Sequence, residues 1–297
     1  MSEIVESRPA APRARVPRRG RPFGVWTPLS RRAFLALLGR DLVVLRKDLW
    51  LFLSRTVMQP VLLLFVFTYV FPKIGQGIGA VGAAGATDAV SAEAFSTLLV
   101  GGVVASAMIF QGIQAVALPM VQDFGFTREI EDRVLAPIPV EGVALQKVAS
   151  GAIQALLAAA VVLPLAYVVP ASDVRIVIDW PVALTFLPLA AVLSASLGLT
   201  VGTRVEPRQV SLIFSLLVIP MTFLGAVYYP WERLDALPVL KWGVLVNPLV
   251  YLSEGVRMGL TAGVPHMPAP AIYAACAAFT TVLLALGISG FRNRVLS

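Results

Sequence analysis

The chain of 297 residues holds one cysteine, Cys276, and one histidine, His266. A single thiol inside an apolar run excludes a disulfide framework, and one imidazole cannot assemble a metal cage. Cys276 reads instead as a small lipid- or helix-facing residue. His266 lies in a proline-rich stretch, Val264-Pro265-His266-Met267-Pro268, and no Ser–His–Asp arrangement can be argued from it. No Gly-x-x-x-x-Gly-Lys-Ser/Thr sequence occurs, so the chain carries no loop of the kind that cradles ATP phosphates. Charge is scarce as well: 14% of residues are Asp, Glu, Lys or Arg, against about 25% in soluble domains. Near the N-terminus no apolar region precedes a cleavage site, so no cleavable signal peptide is expected.

Apolar sequence fills the chain, at 58% of residues. Six runs approach the ~20 residues that a bilayer requires: 57–71, 95–121, 148–169, 180–201, 210–229 and 271–291. The expected fold class is an all-α integral membrane protein with six transmembrane helices. The first run is short and can borrow length from the helix before it. That helix, residues 30–55, sets charges at Arg31/Arg32, Arg40/Asp41, Arg46/Lys47/Asp48 and Arg55. Phe34, Leu35, Leu38, Leu42, Leu45, Leu49 and Phe52 fill the intervening face, the pattern of an amphipathic helix lying in the interface plane. Residues 1–28 hold six arginines among seven prolines and glycines. They read as a disordered basic tail near anionic lipid headgroups, and no aromatic or motif context points to nucleic acid. Residues 29–297 then form one transmembrane domain.

Orientation follows from the basic residues. Of the 24 Lys and Arg, 19 fall in segments on the N-terminal side of the alternation and five on the other. Both termini and the 121–147 loop are therefore expected in the cytoplasm of a multi-pass protein of the cytoplasmic (inner) membrane.

Two polar interruptions stand out. In Asp123–Lys147, Phe126, Ile130 and Val134 repeat at i, i+4, i+8, one apolar stripe on a short helix. Arg128, Glu129, Glu131, Asp132 and Arg133 cover its other faces; Thr127 can cap it, and Pro137 and Pro139 end it. Such a helix is either a surface for a cytoplasmic partner to push on or a solvated loop helix. In Pro230–Leu260, the apolar pieces Val239–Val246 and Leu249–Leu260 are each too short to span and are split at Asn247-Pro248. The expected form is a re-entrant or interfacial helical hairpin on the outer face, in which Glu254 and Arg257, at i and i+3, can pair. Tyr228, Tyr229 and Trp231 suit an outer aromatic belt.

Ionisable residues are essentially missing from the six runs, which argues against an ion-coupled transporter, and no acid–base pair for an intramembrane enzyme appears there. The runs do hold Gln59, Gln111 and Gln114. Buried amides in lipid either bond between helices or face a cavity, so these three are candidate pathway residues, and a mostly apolar lining suits an apolar or amphipathic solute.

The late stretch GAVYYPWERLDALPVLKWGVLVNPLVYLSEGVR, with the interfacial helix, six runs and the charged loop after the second, resembles the ABC-2 type permeases, the membrane subunits of bacterial type V ABC exporters. Tyr229, Pro230, Leu234, Pro238, Asn247, Pro248, Leu249 and Arg257 match the pattern that follows the fifth span in that family. Asp123, Gly125, Thr127, Glu129, Glu131 and Pro137 are comparable in the loop, with Phe126 separating the Gly and Thr. The resemblance implies a transport subunit that is not itself an enzyme and binds no cofactor. ATP and Mg would sit in a cytoplasmic ABC ATPase subunit, and a second permease copy, identical or paralogous, would complete the pathway. The helix from Phe126 would be the coupling helix seated on the ATPase. The implied activity is export of a hydrophobic or amphipathic compound (a drug, antibiotic or lipid-like molecule). Export of a lipid-linked glycan by the same mechanism is the alternative, and an ion-coupled secondary transporter the more distant one.

Overall fold

The computed structural model describes residues 27–73, 92–124, 138–170, 174–206, 209–261 and 263–296. Among them every regular element is helical, apart from one isolated antiparallel bridge between Ile176 and Thr261. The basic tail expected over 1–28 lies outside the described residues except for Thr27 and Pro28.

Helix α1 spans Pro28–Lys47. Thr27 caps it by accepting from the Ser30 amide at 3.2 Å, with Pro28 at the first helical position, where a missing N–H costs nothing. Its inward stripe is Ser30, Ala33, Phe34, Leu38, Asp41, Leu42 and Leu45; Leu35 faces outward. The helix expected over 30–55 is in fact two. The chain bends at Asp48 (φ −98°, ψ 21°), and α2 begins at Leu49. The bend falls where Arg46-Lys47-Asp48 gives way to the apolar stretch Leu49–Leu53. Helix α2, Leu49–Phe65, continues through a π turn, Val66–Val70. The first membrane-length helix is therefore Leu49–Val70, 22 residues, and the short first run does borrow from the segment before it.

Helix α3 (Ala92–Gln122), α4 (Val140–Val168) and α5 (Trp180–Arg204) follow. Helix α4 starts eight residues earlier than the apolar run that marked it. Pro139 precedes it, and Val140, Val143, Ala144 and Val148 continue one helical face. Gln146 and Lys147, read as loop residues from sequence, thus belong to a helix and are buried. Helix α6, Val210–Phe223, has 14 residues, about 21 Å of rise against a hydrocarbon core of about 30 Å. It falls short of the run expected over 210–229 because the chain turns at Leu224–Ala226, with Ala226 at φ 52°. Among the described residues five helices are long and apolar enough to cross a membrane.

A 3-10 turn (Trp231–Ala236), helix α7 (Pro238–Gly243) and a second 3-10 turn (Val244–Val246) lead to α8, Pro248–Leu260. The chain breaks at Asn247 (φ −87°, ψ 114°), whose side chain accepts from the Leu249 amide at 3.0 Å and so caps α8. Helix α9, Ala269–Leu296, closes the fold.

Helix α3 is the axis of the body. It is packed by α4, α5 and α8, and almost all of its apolar stretch is buried. Its contact with α5 is close: a Cβ on Gly198 would come within 2.9 Å of the Gly112 carbonyl and the Ile113 backbone. Helices in lipid gain by such approach because dispersion rather than water expulsion holds them together. Leu212, Leu216, Ile219 and Phe223 of α6 line up at helical spacing and are exposed. In water that stripe would be a liability; against lipid or another apolar helix it is ordinary surface.

Candidate functional site

Polar groups gather at two places, near opposite ends of α3. The first surrounds α8. Glu254 and Arg257 are fully buried, with 0% side-chain exposure each, and pair at 3.0 Å. Arg257 also donates to the Leu98 carbonyl on α3 at 3.2 Å, to Val227 O at 3.0 Å and to Ala226 O. Glu254 Oε1 accepts from the Trp231 amide at 3.0 Å, and Oε2 from the Met267 amide at 2.8 Å. One ion pair thus ties α3, the turn after α6, the first 3-10 turn and the lead into α9 to α8. Gly101 makes room for it, since a Cβ there would overlap Arg257 Cγ. A buried ion pair holds only if its remaining hydrogen-bonding capacity is met, and here backbone groups from four segments meet it.

The rest of the expected outer motif surrounds this pair. Asn247 Nδ2 donates to Met221 O at 2.9 Å, and Ser253 Oγ to Gly225 O at 2.9 Å, so both bind the end of α6 to α8. Pro230 and Leu234 are buried, while Pro238 is exposed at the start of α7. Trp231 donates its indole N–H to Lys241 O at 3.0 Å, and the Lys241 ammonium lies 4.2 Å above its ring.

The second place is a cleft of about 420 Å³ between α1, α2, α3 and α4. Its lining includes Asp41, Arg55, Gln111, Gln114, Lys147, Ser150 and Gln154. At its inner end a narrower space is walled by Arg55, Thr56, Gln59, Ser106, Gln111 and Gln114. Gln59, Gln111 and Gln114, singled out from the sequence, therefore share one cavity. Gln111 accepts from Thr56 Oγ1 at 3.3 Å and reaches Gln154 at 3.5 Å. The side chains of Gln59, Gln114 and Arg55 make no hydrogen bond or ion pair with other described residues. At the wide end, Asp41 of α1 accepts from Gln146 at 2.9 Å and Lys147 at 3.3 Å, both buried on α4. Gln111 lies eleven residues from Gln122, the last residue of α3, which is about 16 Å of helix. The cleft thus runs about 16 Å along α3 from its C-terminal end.

The residue-by-residue reading missed Asp41, Arg55, Gln146, Lys147 and Gln154. Asp41 carried a signal, being an acid on the inward apolar stripe of α1. The helix expected at Phe126, Thr127, Arg128, Glu129, Ile130, Glu131, Asp132 and Arg133 lies outside the described residues.

The chain matches the family model of the ABC-2 type transporter over residues 32–261 and belongs to that family. It is 29% identical over 145 residues to the inner membrane transport permease YadH of Escherichia coli K12, and equally to the YadH proteins of E. coli O157:H7 and Shigella flexneri. That stretch is 48% of this chain and 54% of each relative, so the chain spans about half the length of the curated relatives it matches. Family and fold together define a multi-pass membrane protein of the ABC-2 type transporter family.

Proposed function

We propose that this chain is the permease subunit of an ATP-driven exporter that moves a hydrophobic or amphipathic compound out across the cytoplasmic membrane. The observation that carries the reading is the amide-lined cleft. It enters a lipid-embedded body from the end where the basic residues concentrate, in a chain without a nucleotide loop of its own. Polar side chains at membrane depth are tolerated where they line a wet cavity. On this reading the cleft end is cytoplasmic, as are both termini. Helix α6 with its following turn makes a sixth crossing, and the α7–α8 pair re-enters from the outer face. A cytoplasmic ABC ATPase binds ATP and Mg and grips the Phe126–Arg133 helix beside α1. A second permease copy or a paralogue completes the pathway.

The apolar stripe of the coupling helix would carry most of the ATPase contact, since exposed ion pairs add about 0–1 kcal/mol. Reversing Glu129 and Glu131 to Lys together tests the assignment. The expected result is a permease that inserts normally but no longer co-purifies with, or no longer couples to, the ATPase. ATP-dependent efflux from vesicles at the wild-type rate in that double variant contradicts it.

A further inference from the structure

We infer that the inner end of the cleft binds the anionic head of an amphiphile, a phosphate-type group with an apolar chain. Arg55 is its charge partner, and Gln59 and Gln114 are its hydrogen-bond donors. This rests on the transport reading for the amphipathic class of cargo and adds the sign and chemistry of the head.

The argument begins with charge. Two carboxylates, Asp41 and Asp48, line the wide end of the cleft, and Asp41 is already engaged by Gln146 and Lys147. The inner end has no acidic side chain: its walls are Arg55, Thr56, Gln59, Pro60, Ser106, Ala107, Phe110, Gln111 and Gln114. Arg55 is on the seventh residue of α2, a helix of membrane length, and makes no ion pair with any described residue. Arg55 is exposed in the cleft with no carboxylate partner among the described residues, which leaves its planar fork available to a phosphate. The Gln59 and Gln114 amides are also unengaged, and each can turn two N–H donors toward an oxyanion. Thr56, whose hydroxyl already donates to Gln111, fixes that amide with its nitrogen toward α4.

The apolar half of the ligand has a place as well. Val44 and Leu51 line the same cleft and are exposed on its α1–α2 rim, so the cavity opens sideways past aliphatic side chains rather than only toward water. A head at Arg55 can keep its chain on that rim and in the surrounding hydrocarbon. The inner space holds only about 30 Å³ and opens into the cleft of about 420 Å³, so the head's oxygens reach the inner space while the body of the head and the start of a chain lie in the cleft beside Arg55.

The test is equilibrium binding of a fluorescent lysophosphatidic acid to the full-length protein in detergent. A monoacylglycerol with the same chain is the neutral control, and glycerol phosphate and inorganic phosphate are the chainless ones. The phosphate-bearing amphiphile should bind at least about tenfold more tightly than the monoacylglycerol, and Arg55→Gln should remove that margin. Arg55→Lys should restore part of it. Gln114→Leu should weaken binding several-fold with unchanged yield, and Arg233→Gln, exposed on the 3-10 turn after Pro230, should bind as wild type. Equal affinity for the neutral analogue, an Arg55→Gln variant that binds like wild type, or displacement of the probe by millimolar inorganic phosphate would each overturn the proposal. Binding needs no ATPase, which separates the two readings. If the amphiphile binds as described but is not moved by the ATP-energised complex, the cleft holds a resident lipid. The site then stands and the export reading falls.

Discussion

Arg257 and Arg55 are both guanidinium groups on apolar helices, and their surroundings are opposites. Arg257 meets a carboxylate and three backbone carbonyls and has no exposed surface. Arg55 meets no described partner and stands at the wall of an open cleft. About 24 Å of α3, from Leu98 to Gln114, separates the two settings. Saturated polar groups in a low-dielectric interior fix a geometry, because any displacement leaves a donor or acceptor unmet. Unsaturated ones at a cavity wall are available to water or solute. The end of this protein around α8 is therefore built to hold its shape, and the end around the α1–α4 cleft to exchange partners.

This contrast predicts a graded set of effects. Glu254→Ala strands a buried guanidinium and should cost about 3–5 kcal/mol, seen as a steep fall in folded yield and melting temperature in detergent. A mild phenotype would mean that the pair is not the clamp described here. Gly101→Ala pushes a Cβ into Arg257 and toward its backbone. It should cost about 1–3 kcal/mol, as overpacking does, and cycling it against Glu254→Ala should show strong coupling. Asp41→Ala removes the acceptor of the buried Gln146 amide and one partner of the buried Lys147 and should cost about 1–3 kcal/mol, with protease sensitivity rising first at the α1–α2 bend. Asp235→Asn breaks an exposed contact with Lys241 and should change stability by no more than about 1 kcal/mol. Gln114→Leu, in the cleft, should leave stability within about 0.5 kcal/mol while altering solute binding. A large loss of stability there would place Gln114 in the structural class with Glu254.

Much of this body was legible in the sequence because apolar length and proline placement are local signals. The break at Asn247-Pro248 falls where a residue preceding proline and a missing N–H require it. The i, i+3 spacing of Glu254 and Arg257 also brings them together as expected. Their partners were not legible. Leu98, Ala226, Trp231 and Met267 contribute backbone groups, which carry no side-chain signature. The helix limits were misjudged where hydropathy and helical period disagree. Lys147 interrupts the apolar run but not the periodic face of α4, and Asp48 ends α1 inside a run of even amphipathicity. The cleft was half visible. Three amides in apolar runs marked it, whereas its charged walls come from α1 and α4, two elements that only the tertiary fold sets side by side.

Accessibility to a membrane-impermeant maleimide tests the contrast most directly. With Cys276 replaced by Ala, single cysteines at Gln114 and Ser253 place one thiol in each region. The Gln114→Cys protein should label from the cytoplasmic face of sealed vesicles. The Ser253→Cys protein should resist label from either face until it is unfolded. A Gln114→Cys thiol that stays silent from the cytoplasmic side, or a Ser253→Cys thiol that reacts as fast in the folded protein, would contradict the division into a closed clamp around α8 and an open α1–α4 cleft.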